Sequence, residues 1–421
     1  MNLSPSIQAP KQAENPVSHP AKTRAPVARR KVFYVSGFDP LGPRRYRELH
    51  RSEGRLQAEI SGYDLKLEGQ NRSEDGAYRW RTSLRKDGQT TEAEFEFLGW
   101  DDIVRHSIRP SLLYVYSLMF RTFWAYLSSG AIAAMLKLRS GPLIAGLVPA
   151  AVMLFYLLYA GLAGLAGGML AGAFGAPGWA MLATGGLAGL LIMLGTRYLE
   201  EQMMVYFMVN DLGYTAVAGG EYPAPVSQRL DRFAEVIAAA MRDPDYDEVL
   251  VVGHSSGAQL AVTALARARN MAPDVPVSLL TLGQSIAMLS FLTRANELRA
   301  DLATVADDPR TFWLDVTAMG DGACFALTDP VASCRTRGRV GNSPIVMSAA
   351  FSQTMDPGEM KRYRWRFMRL HFQYLCAFRR PGEFDYFQIT GGAERLADRF
   401  AERPSSPSML AEPVAPICHP G

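Results

Sequence analysis

Val249-Leu250-Val251-Val252-Gly253-His254-Ser255-Ser256-Gly257-Ala258 is the stretch whose reading decides the fold. Four apolar, mostly β-branched residues read as a buried strand. A Gly-x-Ser-x-Gly follows at once, and Gln259 to Asn270, rich in Ala and Leu, reads as a helix. A serine on a tight strand-to-helix turn is the context of a nucleophile elbow. Gly253 and Gly257 leave room for the two backbones to pass closely. The turn then holds Ser255 with its hydroxyl exposed, and the Ser256 N–H lies at a helix N-terminus, where it can stabilise an oxyanion.

Outward from this stretch, Val277 to Leu282 and Thr311 to Thr317 read as further strands, with a helix over about 293–304 between them. Strands opening at Val249, Val277 and Phe312 and separated by helices predict an α/β fold with a mostly parallel sheet and crossover helices. Upstream, Lys31 to Val35 is a short strand and Arg44 to Gly54 a helix. Residues 57–69 and 76–98 alternate as strands, with hairpin signals at Asp75-Gly76 and Asp87-Gly88, and predict an antiparallel edge. A helix begins near Trp100-Asp101. Val226 to Met241 reads as an amphipathic helix stopped by Asp243-Pro244, and a long helix is expected from Pro357 to Phe378.

The chain has 421 residues and a formal charge of +3 from 44 basic and 41 acidic residues. That balance argues neither for nor against a nucleic-acid partner; the basic residues gather on no legible face, and no such partner is expected. The four cysteines, Cys324, Cys334, Cys376 and Cys418, form no CxxC pair and no zinc spacing, and read as free thiols of a reducing compartment. Residues 1–30 and 401–421 are rich in Pro, Ser and Ala and are expected to be disordered. No apolar h-region lies near the start, so no cleavable secretory signal is expected.

One block breaks the soluble pattern. Pro142 to Phe174 carries no charged residue; after the turn at Gly175 to Gly178, Trp179 to Thr196 carries none either. About 20 apolar residues cross the hydrocarbon core, so two membrane spans are expected, about 142–174 and 179–196. Glycines such as Gly164, Gly168, Gly185 and Gly189 allow the two helices to pack closely. Leu112 to Leu136, apolar but carrying Arg121, is an interfacial or a buried helix. Lys137, Arg139 and Arg197 flank the hairpin and its connecting turn is uncharged, which places the soluble part and both termini in the cytoplasm. The expected organisation is a tail (1–30), a first part of the body with a β-rich edge (31–110), a membrane block (111–200), the main body (201–400) and a second tail (401–421). Tyr198 to Leu212 reads as a helix leaving the membrane.

A serine nucleophile needs a base, and the base an orienting acid. Six histidines are present. His19 and His419 lie in the tails, His50 and His106 precede the elbow, and His254 sits beside the serine, where it packs under the turn. His371 remains. The acid is sought after the strand at 311–317: Asp321, between glycines just past the strand end, is preferred, with Asp329 as rival and Asp315 within the strand itself.

The elbow, the aspartate past a later strand, and His371 with Tyr374 three residues on resemble the α/β-hydrolase superfamily, and within it lipase-like serine esterases. His-x-x-Tyr and Asp329-Pro330-Val331 are also similar to the fungal-type lipases, which is the main argument for Asp329. The resemblance covers about residues 31–50 and 245–380 and leaves out the membrane hairpin and the stretch at 57–98. It implies helices on both faces of the sheet, a serine-acyl intermediate on Ser255, His371 as base and Asp321 as orienting acid. It also implies an oxyanion hole from the Ser256 N–H and the loop at Gly37 and Phe38, a loop that by itself reads equally as a simple turn. No cofactor and no metal are implied. The expected partners are the lipid bilayer, through residues 142–196, and a lipid-like acyl ester. A hydrolase-fold membrane scaffold without catalysis and an acyltransferase using the same residues are the alternatives.

Overall fold

The computed structural model describes residues 25–72, 77–108, 111–335, 341, 343–364 and 366–418. The chain opens on β1 (Arg29–Val35) and α1 (Pro43–Ser61), then makes β2 (Asp64–Arg72), β3 (Tyr78–Lys86) and β4 (Gln89–Phe97). Two short helices and one longer one follow, α2 (Asp101–Ser107), α3 (Leu112–Ser128) and α4 (Ala131–Met135). Next come the long α5 (Gly141–Ala173) and α6 (Gly178–Met203), then α7 (Val205–Ala216) and α8 (Ala224–Met241). The second half alternates: β5 (Glu248–His254), α9 (Gly257–Met271), β6 (Val277–Leu282), α10 (Ile286–Ser290), α11 (Asn296–Asp307), β7 (Thr311–Thr317) and β8 (Ile345–Ser348). Five short helices close the chain: α12 (Phe351–Thr354), α13 (Pro357–Tyr363), α14 (Phe367–His371), α15 (Tyr386–Gly391) and α16 (Leu396–Phe400).

Among the described residues eight strands form one sheet, in the order β2-β3-β4-β1-β5-β6-β7-β8. It is parallel from β4 through β8, and β2, β3 and β4 form the antiparallel edge. Residues on either side of the membrane block thus share one sheet. β5 lies inside it and is buried along its whole length. Val249 and Val251 enter one apolar cluster, with α8, α9 and α11; Leu250 and Val252 enter the other, with α1 and the C-terminal helices. A strand buried on both faces reads as an unbroken apolar run rather than an alternation, which is why 249–252 stood out in the sequence.

Several expectations are corrected. Residues 57–61 finish α1 and are not strand: Gly62, with φ +71, caps the helix in the left-handed conformation. Asp87 and Gly88, both with positive φ, make the two-residue turn between β3 and β4, while Asp75-Gly76 lies outside the described residues. Residues 112–136 are not one helix; Gly130, φ +75, separates α3 from α4. Residues 198–212 are likewise divided, by Met204 at φ +52. The helix expected over 357–378 is broken into α13, α14 and a 3-10 turn at Gln373–Leu375. Leu370, His371, Tyr374, Leu375 and Phe378 are all buried there, so the segment winds through the core instead of presenting one face to it.

The expected tails are also corrected where they are described. Val27 is buried and donates its N–H to the Ala393 carbonyl at 2.8 Å. At the other end Ser406 N–H bonds the Val346 carbonyl, and Leu410 N–H the Leu327 carbonyl, each at 2.8 Å. Backbone pairing of this kind leaves no apolar periodicity, so composition alone mistook these segments. Residues 1–24 and 419–421 lie outside the described residues.

Among the described residues two helices are long and apolar enough to cross a membrane, Gly141–Ala173 and Gly178–Tyr198. At ~1.5 Å per residue the first is about 50 Å long. Unlike a soluble core helix, it leaves Leu154, Phe155, Leu158, Leu162 and Leu165 exposed. The pair packs backbone to backbone: a Cβ on Gly189 would sit 3.0 Å from the Ala160 carbonyl oxygen, and one on Gly168 3.1 Å from that of Met181.

Arg30 ties the fold together at the foot of β1. Fully buried, it donates to Glu248 Oε2 at 2.8 Å and to the carbonyls of Gly392 and Glu394 at 2.6 Å each. Glu248 in turn accepts from Ser278 Oγ at 2.6 Å and from the Leu396 N–H at 2.9 Å. Arg30→Met leaves a buried carboxylate and two carbonyls without their donor. It is expected to lower the unfolding free energy by about 3–5 kcal/mol, measured by urea unfolding of detergent-solubilised protein; a loss below about 1 kcal/mol, the scale of an exposed ion pair, would contradict this role.

Candidate active site

The turn after β5 forms around a non-glycine residue in a glycine-like conformation. Ser255 has φ +60, in the left-handed region that costs a side-chain-bearing residue of order 1–3 kcal/mol. Its N–H is held by the Leu282 carbonyl at 2.9 Å, at the end of the neighbouring β6. Helix α9 starts two residues later. From the other side comes the loop after β1, where Gly37 lies so close that a Cβ there would sit 2.9 Å from Ser255 Cβ and 3.3 Å from its Oγ.

Asp321 and His371 meet behind this turn. His371 Nδ1 donates to Asp321 Oδ2 at 2.8 Å, and the carboxylate also accepts from Tyr374 Oη at 3.0 Å and from the Ala323 N–H at 2.9 Å. Burial opposes the charge on Asp321, but the neighbouring imidazole and these three donors outweigh it and hold the carboxyl below its ordinary value. On His371, burial again opposes charge; the Asp321 carboxylate, its hydrogen bond and the more distant Asp211 reverse that and raise the imidazole above its usual value. With Nδ1–H committed to Asp321, Nε2 carries the lone pair. Nε2 is buried and has no hydrogen-bond partner among the described residues, so Ser255 Oγ is not bonded to it here. Such contacts are often long without substrate.

Ser255, Ser256, Gly37, Phe38 and His371 line one cavity of about 730 Å³, and Asp321 lies behind His371. The rival aspartates are elsewhere engaged. Asp329 Oδ1 accepts the N–H groups of Val331 and Ala332 at 2.9 Å each and shapes the turn there. Asp315 accepts from Thr281 Oγ1 at 2.6 Å within the sheet core, and burial pushes its carboxyl up to about 8. The Phe38 N–H is already occupied: it donates to Ser256 Oγ at 2.9 Å. Ser256 therefore clamps the loop to the elbow as well as opening α9. Among the described residues no cluster of three or more His, Cys, Asp or Glu is placed to hold a metal.

Three residues here escaped sequence reasoning or exceed it. Gly283 follows β6 at φ +52, and a Cβ on it would meet Tyr374 Cε2 at 2.6 Å, Asp321 Oδ2 at 3.2 Å and His371 Cε1 at 3.3 Å. Only glycine fits there; a lone glycine at a strand end carries no such signal. His254 does pack under the turn, fully buried, but it also donates from Nε2 to the His371 carbonyl at 2.9 Å, with the two rings stacked 4.9 Å apart. Burial, with the neighbouring His371 charge, lowers its pKa to about 3, so it stays a neutral positioning group. Asp211, on α7, is half-buried in the wall of the cavity that His371 also lines, and burial lifts its carboxyl to about 7.

No family model, curated protein or solved structure matches this chain. The site's chemistry therefore rests on its geometry.

Asp211 gives a signed test. Its carboxylate favours the protonated imidazole, so Asp211→Asn removes a charge that raises the His371 pKa. The His371 pKa, followed by NMR on the purified protein, is expected to fall, leaving Nε2 unprotonated to lower pH; a rise or no change would show that Asp211 does not act on the imidazole.

Proposed function

We propose that this protein is a membrane-anchored serine hydrolase of the α/β-hydrolase type that cleaves a lipid-like acyl ester. The observation that carries the reading is the arrangement at Ser255: a serine in a strained turn shares a cavity with His371, whose Nδ1–H is fixed by buried Asp321 and whose Nε2 has no partner among the described residues. In the proposed reaction His371 Nε2 removes the Ser255 hydroxyl proton as Oγ attacks the ester carbonyl. The N–H groups at the start of α9, Ser256 first, receive the oxyanion; the Phe38 N–H joins them once Ser256 Oγ gives it up. His371 then protonates the leaving alcohol, and water resolves the acyl-serine by the same path. Asp321 stabilises the imidazolium throughout.

Membrane attachment is supported by the two long apolar helices and by α3. One stripe of α3, Leu113, Phe120, Trp124 and Leu127, is exposed, while its opposite side packs on α7. An apolar stripe on a helix that is otherwise seated on protein fits the interfacial reading. Pro142, Ala145 and Gly146 of α5 and Arg197 of α6 line the same cavity as Ser255. In this reading the site lies at the ends of the two apolar helices flanked by Lys137, Arg139 and Arg197, the side that the positive-inside rule assigns to the cytoplasm, where a bilayer lipid could reach it without crossing water.

A fluorophosphonate probe is expected to label the wild-type protein at Ser255 in membranes and to leave Ser255→Ala unlabelled. Asp321→Asn is expected to lower esterase kcat by about 10³–10⁴-fold, the scale for a lost imidazole-orienting acid. Absence of labelling in folded wild-type protein, or full activity in Asp321→Asn, would overturn the reading.

A further inference from the structure

The stretch from Lys361 to Arg369 carries five basic residues, Lys361, Arg362, Arg364, Arg366 and Arg369, and no acidic one. The proposed reaction uses none of them. The stretch ends α13 and opens α14, and its Trp365 lies outside the described residues. Lys361, Arg362, Arg364 and Arg366 are exposed, with exposed Phe367 and Met368 beside them. Arg369 is taken up within the protein: it lies over the Tyr363 ring at 4.9 Å and donates to Gln373 Oε1 at 2.8 Å. The acidic residues just upstream are engaged as well. Asp356 caps α13 by accepting the Gly358 N–H at 2.8 Å, and Glu359 stands 3.5 Å from Arg379. Among the described residues no carboxylate pairs with Lys361, Arg362 or Arg366.

This basic stretch is seated at the near end of α5. A Cβ on Gly322 would lie 3.2 Å from Phe367 Cδ1, and one on Gly141, the first residue of α5, 3.1 Å from the Gly322 carbonyl oxygen. Phe367, the residue after Asp321 and the start of α5 are thus stacked in that order. Met368 lines the Ser255 cavity together with Pro142 and Ala145 of the same helix end. Lys137, shortly before α5, is exposed too.

We propose that residues 361–369 bind the anionic phospholipid headgroups of the leaflet that α5 enters. The inference rests on the membrane reading of α5 and α6 and adds to it a polar attachment on the body itself, far along the chain from the two apolar helices. Guanidinium groups suit phosphate, which they bind in a bidentate manner. Basic clusters beside a spanning helix are drawn to anionic lipid, whose charge complements theirs. Phe367 and Met368 supply the apolar contribution of a segment that lies at the boundary of headgroups and acyl chains. The contact with the start of α5, more than charge alone, singles out lipid over a soluble acidic partner.

The test is hydrogen–deuterium exchange of the full chain in nanodiscs of phosphatidylcholine alone and of phosphatidylcholine mixed with phosphatidylglycerol. Exchange at 361–369 is expected to slow in the mixed lipid by at least about 5-fold, the factor that one Lys or Arg gains at an anionic surface, and the difference is expected to vanish at high salt. The combined variant Lys361→Gln, Arg362→Gln, Arg366→Gln is expected to lose the difference, with exchange of the β5 peptide unchanged as the sign of an intact fold. Equal exchange in the two lipids, or a slowing that survives in the folded variant, would overturn the inference. So would a slowing caused by soluble polyglutamate in neutral nanodiscs with none from phosphatidylglycerol, which would point to an acidic protein partner. Exchange at α5 keeps the two readings apart. Fast exchange there in every nanodisc would remove the membrane reading itself, whereas slow exchange at α5 with no lipid dependence at 361–369 overturns this inference alone.

Discussion

The site depends on one steric constraint, the close passage of three backbone segments at the end of β5. A Cβ on Gly253 would lie 2.7 Å from Ala258 Cα, and one on Gly257 would press on the Val35 and Ser36 carbonyls. Without side chains at those positions the strand can turn directly into α9 while the loop after β1 lies across the turn. Ser255 pays for this with a left-handed backbone. The surrounding hydrogen bonds, Ser255 N–H to Leu282 and Phe38 N–H to Ser256 Oγ, fix what would otherwise relax. Gly283 repeats the device one strand over, where its bare Cα lets Tyr374, Asp321 and His371 close up. Sheet, elbow and acid–base pair are thus one packing problem.

The sequence was most legible where one physical signal dominates. The strands at 277–282 and 311–317 stand at their expected bounds, because a fully buried strand is a short apolar run between turn residues. The two long helices were legible because freedom from charge over such lengths has few other meanings. Ser255, Asp321 and His371 could be singled out by local context and by the small number of histidines, and the structure brings them together. What was not legible depends on contacts distant in sequence. The C-terminal segment looked like a tail because Ser406 and Leu410 are held by backbone bonds to Val346 and Leu327. The long helix expected through His371 is broken because nearly every side chain from Leu370 to Phe378 is buried, which no helical stripe describes. Asp211 gave no signal, since α7 follows the two long apolar helices and reads as the continuation of the second.

The inserted block is part of the site rather than an appendage to it. Two of its helices, α5 and α6, extend away from the sheet with apolar surfaces exposed, and their near ends, with α7, complete the cavity that Ser255 enters. Sheet and loops supply the charged and hydrogen-bonding groups; the insertion supplies apolar walls. This division matches the proposed substrate, whose ester is polar and whose chain is not. It also supplies Asp211, a carboxyl lining the same cavity, whose charge adds to that of Asp321 in raising the His371 pKa.

The most direct measurement is the covalent state of Ser255 during turnover. A long-chain p-nitrophenyl ester mixed with enzyme and quenched with acid within the first turnover, followed by peptide mass spectrometry, reports it. An acyl adduct is expected on the peptide carrying Ser255, appearing together with a burst of nitrophenol close to the enzyme concentration. Release of nitrophenol without any adduct, or an adduct on another residue, would contradict it.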